Sequence, residues 1–401
     1  MNALSLNPIS EIALASRLPA VGSDAAAFPD ELLATAYVEL FRDPLRAADW
    51  ARAAQAAARR SDAPVVDAYA LTTQALAELL SGSEAIGAET LQQAAILAGR
   101  VQEPRLDWLV SDARALALLN QARPDEAMVE LIGLMIATPD HRPLRDCYLS
   151  ISSLARVHAA LGHVEEAIGA GYRALSIARR TRSAVLRVHA ITGLGLLQLE
   201  HEHLLGARLL LEQGLFGAGR SRSGRSMRQA ARGLVRTYLA LNMPDTALDV
   251  ARRHLPEASD PQECLALAQV NAANGCWTEA AVYLDRGGQD GSRERQVQHA
   301  WLRGRIALAH GRPAEALTPC HAVLDENASS RDAWELALTL QAAYEALGDS
   351  SSARVHAGRA DRIMTVLAAR GAVLSALCAQ FEQDLLQAHS VCVEMAAVLD
   401  R

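Results

Sequence analysis

Residues 154–174 read LARVHAALGHVEEAIGAGYRA, and this stretch decides the fold. Apolar residues recur at helical spacing on both sides of Gly162, which predicts two amphipathic helices separated by a tight turn. Gly162 permits the left-handed backbone that ends a helix, and Ala155 and Ala167 are small enough for two helices to cross closely. The stretch is therefore interpreted as one helical hairpin.

The hairpin recurs along the chain in one register. Small residues in the place of Ala167 are spaced by forty residues through the first six copies and by thirty-three, thirty-six and thirty-seven in the rest. They are Ala47, Gly87, Ala127, Ala167, Ala207, Ala247, Ala280, Ala316 and Ala353. Two further columns accompany the last seven copies, twelve and five residues earlier. The first column is Ala115, Ala155, Gly195, Val235, Ala268, Gly304 and Gln341, and the second is Ala122, Gly162, Glu202, Asn242, Gly275, Gly311 and Gly348. Three columns in one register indicate a repeat array, although Val235 and Gln341 are larger than the pattern favours and Glu202 is a poor turn residue.

This pattern resembles the tetratricopeptide repeat, which has a small residue in the middle of each helix and a glycine in the turn. The resemblance covers about residues 30–360 and implies an all-α fold, an α-solenoid of about nine tetratricopeptide-like helix pairs. A forty-residue period exceeds the common thirty-four, so we expect longer helices or turns. The longer variant is similar to helical-repeat regulatory regions of bacterial transcription activators and diguanylate cyclases.

The pattern divides the chain into three segments. We expect a loosely ordered lead-in over residues 1–27, the array over residues 28–360, and a long C-terminal helix over residues 361–401. Apolar residues in the last segment fall mostly three and four apart, as in a coiled-coil seam. The candidate dimer positions are Leu374, Leu377, Phe381, Leu385, Cys392, Met395 and Leu399. This helix either caps the open end of the array or pairs with a second copy of the chain.

Composition excludes several chemistries. The 401 residues have a net charge of −7, and all 39 basic residues are Arg because the chain contains no Lys. A Schiff-base lysine and the lysine of a phosphate loop are therefore excluded. Residues 219–226, GRSRSGRS, resemble a phosphate loop but follow a predicted helix, so a connector is favoured. With no nucleophile elbow and no metal-ligand set in the sequence, we expect no enzyme activity, no cofactor and no metal.

Localisation signals are also weak. The first residues have no cationic start followed by an apolar block, and the six cysteines show no framework spacing. No run of eighteen apolar residues occurs, and the acidic balance argues against a nucleic-acid partner. These features predict a cytoplasmic protein with no membrane and no nucleic-acid partner.

Arginines define the candidate binding site. Arg225, Arg228, Arg232 and Arg236 are spaced by three, four and four, which places them on one side of one helix. In repeats of this kind, the residues three before and one after the small residue of the first helix face the groove, which adds three more positions. The candidate groove residues are Arg156, Arg228, Arg232, Arg236, Trp301 and Arg305. Guanidinium groups beside an aromatic ring suit an acidic peptide, a phosphate-bearing ligand or a carboxylate, and the alternative is a solvated charged face.

We therefore expect a non-enzymatic module of bacterial regulation that binds a protein or peptide segment, with an acidic segment as one candidate. The alternative is the sensory half of a signalling protein, in which residues 374–399 couple to an output domain and the chain forms a homodimer. An enzyme that uses the arginine groove ranks last.

Overall fold

The computed structural model describes residues 29–399, except residues 138–143, 182, 257, 259, 289–292, 326–327 and 329. The expected lead-in over residues 1–27 lies outside this part of the chain. The described residues form eighteen α-helices, numbered here in chain order and arranged as nine pairs.

The first helices of the pairs are α1 (Pro29–Glu39), α3 (Pro64–Ser81), α5 (Pro104–Asn120), α7 (Leu144–Ala160), α9 (Ala184–Glu200), α11 (Gly224–Ala240), α13 (Pro261–Ala273), α15 (Arg293–Ala309) and α17 (Arg331–Ala346). The second helices are α2 (Pro44–Arg60), α4 (Glu84–Val101), α6 (Pro124–Ala137), α8 (Val164–Arg180), α10 (Leu204–Ser221), α12 (Pro244–His254), α14 (Trp277–Gly287), α16 (Pro313–Ala322) and α18 (Ser350–Leu399). The predicted all-α array of about nine pairs with a long C-terminal helix is confirmed.

The longer period has the expected cause. In the hairpin quoted above, α7 and α8 have 17 residues each, whereas α14 and α16 of the shorter-period pairs have only 11 and 10. The forty-residue repeats are therefore longer mainly because their helices are longer.

The turn column is where each first helix ends. Gly162 has a φ of 77°, and His163 N–H donates to the His158 carbonyl at 2.9 Å while Gly162 N–H donates to the Ala159 carbonyl at 3.0 Å. These two bonds are the Schellman arrangement, which satisfies carbonyls left free at a helix end. The same left-handed backbone occurs at Gly82, Ala122, Glu202, Asn242, Gly275, Gly311 and Gly348.

The small-residue columns mark close helix crossings. Eight of the nine second-helix positions are alanines, and each is at most 4 % exposed. In the first helices, a Cβ added at Gly195 would lie 2.9 Å from Leu211 Cγ, which is closer than carbon atoms pack. The columns recur because stacking requires them.

First helices pack against the first helices of neighbouring pairs, α1 with α3, α3 with α5, α5 with α7, α13 with α15 and α15 with α17. They therefore form a continuous layer within each part of the array. We call the side of this layer that faces away from the second helices the first-helix surface.

The chain divides into two compact units. Unit 1 comprises Met1–Leu194 and Phe216–Ser226, and unit 2 comprises Gly195–Leu215 and Met227–Arg401. Each has its own apolar core: Leu131 and Val157 are fully buried in unit 1, as are Leu211 and Val235 in unit 2. The units are described separately below.

Helix α18 is longer than the others, with 50 residues. Over Ser350–Phe381 it is long and apolar enough to cross a membrane, by length and composition alone, with a mean hydropathy of 1.5 in its most apolar window. Because core helices of water-soluble domains pass the same test, this is weak evidence, and the expected absence of a membrane partner stays a prediction.

Candidate partner-binding surface

The first-helix surface of unit 2 carries most of the predicted arginines. Arg228, Arg232 and Arg236 lie on α11, and Arg305 lies on α15. Arg228 is exposed, whereas the other three are half-buried. The four arginines therefore differ in how far they are exposed to solvent.

Arg232 is held by an acidic residue of the next first helix. Its Nη1 lies 3.2 Å from both carboxylate oxygens of Asp260, and its side chain is only 20 % exposed. Burial lowers the pKa of Arg232, and the charges of Asp260 and Glu263 oppose that shift. Asp260 also caps α13, since it accepts the Glu263 backbone N–H at 2.9 Å.

Arg228 is paired in the same way, one turn earlier on α11. Its Nε lies 3.3 Å from Oε1 of Glu263, a residue whose side chain is 1 % exposed. The two acids of α13 therefore face the two arginines of α11. The capping sequence Asp260-Pro261-Gln262-Glu263 was visible in the sequence, but its pairing with α11 was not predicted.

Arg305 lies between an acid and an aromatic ring. Its Nη1 is 3.5 Å from Glu335 Oε2 of α17, and its guanidinium carbon is 5.9 Å from the centre of the Trp277 ring. Burial raises the pKa of Glu335, while Arg305 and Arg331 act to lower it. The arrangement supplies a cation, an anion and a ring in one place.

The predicted aromatic residue of this surface has a different position. Trp301 is 6 % exposed and packs in the core of unit 2 with Leu302, Ile306 and Cys320. Position 301, three residues before Gly304, therefore faces the core of unit 2 and not the first-helix surface. Trp277 is the aromatic residue beside Arg305, and sequence reasoning did not select it.

Two further polar pairs extend the pattern in unit 2. Arg331 binds the Glu202 carboxylate through Nε at 3.1 Å and Nη2 at 2.6 Å, and Gln298 donates to Asp332 at 2.8 Å. The Gln298 hydrogen bond joins the neighbouring first helices α15 and α17, whereas the Arg331 ion pair joins α17 to the turn after α9. The pairs between first helices place hydrogen-bond donors and acceptors next to each other.

In unit 1, Arg156 lies on the exposed side of α7. Its charge acts on His189 of α9, which accepts or donates a 2.5 Å hydrogen bond with the Tyr148 hydroxyl. Burial, followed by the positive charges of Arg225 and Arg156, lowers the pKa of His189 to about 3. His189 is therefore neutral at physiological pH.

His189 makes the stability of unit 1 sensitive to acid. An unfolded histidine has a pKa of about 6.5, so the neutral form stabilises the fold above that pH, and the contribution is lost as the pH falls toward 3. We expect wild type to lose about 2 kcal/mol more than His189→Gln between pH 7 and pH 5. Urea unfolding at both pH values measures the difference, and equal losses would contradict the assignment.

Part of the predicted dimer seam is buried within unit 2 itself. Leu374 and Cys378 are buried at 1 % and 2 % exposure, and the Gln198 amide donates to the Cys378 sulfur at 3.2 Å. Leu377 and Phe381 are partly buried. The remaining positions, Leu385, Cys392, Met395 and Leu399, lie outside the residues whose side chains are described. Pairing through this helix stays a prediction.

Residues 219–226 form the end of α10, a turn with Arg222 at a φ of 53°, and the start of α11. Only residues 222 and 223 lie between the two helices, so the connector is much shorter than the sequence predicted. Helix rather than strand precedes it.

Comparison with known proteins supports the fold. No protein-family model matches the chain, and no curated protein matches its sequence significantly. A Rap protein complexed with competence and sporulation factor matches with a TM-score of 0.57 at 14 % identity, over 85 % of this chain and 99 % of that one. Apo RapI matches at 0.55 and 10 %, over 84 % and 97 %, and NprR with its cognate peptide NprX at 0.52 and 11 %, over 80 % and 99 %.

Likeness at such low identity shows the fold alone. The chain has a tetratricopeptide-like helical-repeat fold, as the three columns of small and turn residues predicted. The comparisons add that this fold extends over at least four-fifths of the chain.

Proposed function

We propose that this chain is a non-enzymatic regulatory module of a bacterium that binds a peptide or protein segment on its first-helix surface. The observation that carries the proposal is the row of interhelical charge pairs in unit 2. Charged groups that neighbouring helices already hold at fixed positions lose less conformational freedom when a partner binds. The similar NprR and Rap structures were solved with a cognate peptide and with a sporulation factor.

The charge of the partner follows from the pairs. An acidic segment would have to share Arg228 and Arg232 with Glu263 and Asp260. A segment that carries both acidic and basic side chains can bind this surface while the Arg228–Glu263 and Arg232–Asp260 ion pairs stay intact. We therefore place a segment of mixed charge before a purely acidic one, with Arg236 and Arg305 as further contacts and Arg156 as the contact in unit 1.

Site-specific photocrosslinking tests the surface. Benzoylphenylalanine at position 305 lies on the first-helix surface, and the matched control at position 282 replaces Val282, which is 62 % exposed on second helix α14. In the full-length chain inside its source cells, we expect covalent adducts from position 305 and not from position 282. Equal adducts at both positions, or none at position 305, would argue against the proposal.

The second candidate is the sensory half of a signalling protein. The supporting observation is that α18 continues to Leu399, well past Phe381, which is still partly buried. Light scattering of the full chain and of a chain ending at residue 383 tests homodimer formation through this helix. If both are monomers, the signalling-helix reading loses its support.

A further inference from the structure

The first-helix surface of unit 1 is already occupied by a segment of the same chain. The segment is residues 37–42, YVELFR, at the carboxyl end of α1 and in the turn that follows. The residues that hold it come from α7, α9 and the start of α11, more than one hundred positions later in the sequence.

Two aromatic side chains anchor this segment. Phe41 is 1 % exposed, and its ring meets Tyr148 edge-on with centroids 5.5 Å apart and His189 with centroids 5.0 Å apart. Tyr37 lies one helical turn earlier, its hydroxyl donates to Asp146, and the Arg145 guanidinium stands 4.7 Å from its ring centre. Tyr37 lies in the last turn of α1 and Phe41 in the turn that follows, and the contacts of both rings are with residues of α7 and α9.

Backbone carbonyls supply the second set of contacts. Arg145 Nη2 donates to the carbonyls of Tyr37 at 2.5 Å and Val38 at 3.3 Å. The Ser223 hydroxyl, just before α11, lies 3.5 Å from the carbonyl oxygens of Phe41 and Arg42 and 3.1 Å from the Ser226 hydroxyl, so its single hydrogen is shared among these acceptors. The carboxyl end of a helix is negative and the amino end of another is positive, so the position of the end of α1 beside Ser223, which precedes the first residue of α11, is electrostatically favourable.

These contacts resemble those of a bound peptide more than those of a repeat pair. Adjacent pairs stack through small residues, whereas residues 37–42 are held by rings, a guanidinium and hydroxyl groups. Among the described residues, α1 otherwise packs on α2 and α3. In a repeat array, pairs with few neighbours open at the lowest free energy.

We propose that the first-helix surface of unit 1 is a segment-binding site, with residues 37–42 as its resident ligand. A partner segment that carries two aromatic residues four positions apart at the carboxyl end of a helix competes for the same site. The inference rests on the proposed function, because it assumes that this fold binds segments, but it concerns a different unit from the crosslinking position.

The test supplies the resident segment as a separate molecule. The probe is a fluorescent peptide of residues 30–43, DELLATAYVELFRD, and the control peptide has alanine in place of both aromatic residues. The receptor is the full-length chain, as wild type and as Tyr37→Ala/Phe41→Ala, in which the resident ligand is weakened. Because a tethered ligand has an effective concentration of about 1 mM, we expect wild type to bind the probe at least about tenfold more weakly than the double variant.

The receiving residues provide the second arm. Adding Arg145→Ala to the double variant should abolish probe binding, while circular dichroism reports whether the helices remain. Phe41→Ala alone is the milder receptor if the double variant does not fold. Absence of probe binding by every helical variant, or equal binding of the alanine peptide, would overturn the inference. Adducts at position 305 would still support the proposed function, so the two failures are distinguishable.

Discussion

Asp146→Ala will lower the free energy of unfolding of unit 1 by about 3 kcal/mol, because it removes one partner of a buried ion pair. Asp146 is fully buried and accepts hydrogen bonds from the Tyr37 hydroxyl and, at 2.9 Å, from Arg105 Nε. Burial lowers the pKa of Arg105, but the charge and hydrogen bond of Asp146 together with Tyr37 and Tyr69 outweigh it, and the net shift is upward. Without the carboxylate, a guanidinium that is only 24 % exposed keeps its charge with no counter-ion at that position.

Two variants make this result specific. Asp146→Asn keeps the size and one acceptor, so we expect a smaller loss than for alanine. Glu165→Ala removes an exposed acid in the first turn of α8 and should change stability by no more than about 0.5 kcal/mol. Urea unfolding followed by circular dichroism compares the three proteins. If Asp146→Ala is no less stable than Glu165→Ala, the buried pair does not hold unit 1 together.

The architecture was predictable because stacking imposes the same requirement on every pair. Ala167 is completely buried, and Gly162 takes the left-handed backbone that its place in the sequence predicted. Both requirements are local: a small residue where helices cross, and a residue that tolerates positive φ where a helix ends. Repetition makes such signals readable from one sequence.

Glu202 shows where local reasoning ends. It was a poor turn residue in the sequence, yet its φ is 66°, in the region that favours glycine. Its side chain binds Arg331 through two nitrogens, 129 positions away in the sequence. A glycine would fit the turn better but would lose this ion pair, so the choice is determined by a tertiary contact that no repeat column records.

The candidate site was predictable only in part for a related reason. The helical spacing of Arg228 and Arg232 correctly placed them on one helix, but their acidic partners belong to α13, whose register against α11 depends on packing. The groove rule also selected Trp301, which the structure places in the core, and passed over Trp277. Side-chain direction in a repeat depends on the crossing angle of its neighbours, which a single sequence does not give.

A close helix crossing in unit 2, at Gly304, gives the second large effect. A Cβ on Gly304 of α15 would lie 2.7 Å from Thr339 Cγ2 and 2.9 Å from Cys320 Sγ. Neither neighbour can turn away easily. The Thr339 hydroxyl donates to the Glu335 carbonyl at 2.8 Å, and the Cys320 thiol donates to the Ala300 carbonyl at 3.6 Å.

Gly304→Leu will therefore destabilise unit 2 by about 3 kcal/mol, because a leucine side chain must push α16 and α17 away from α15. The matched control is Gly358→Leu on α18, where an added Cβ would meet nothing within 4 Å. That change should stabilise the helix by up to about 1 kcal/mol, since leucine is a better helix former than glycine. Thermal unfolding of both variants and of wild type measures whether the two substitutions change the stability in opposite directions. If Gly304→Leu melts no earlier than Gly358→Leu, the small-residue column does not set the distance between these helices, and the basis on which the repeats were recognised would fail in unit 2.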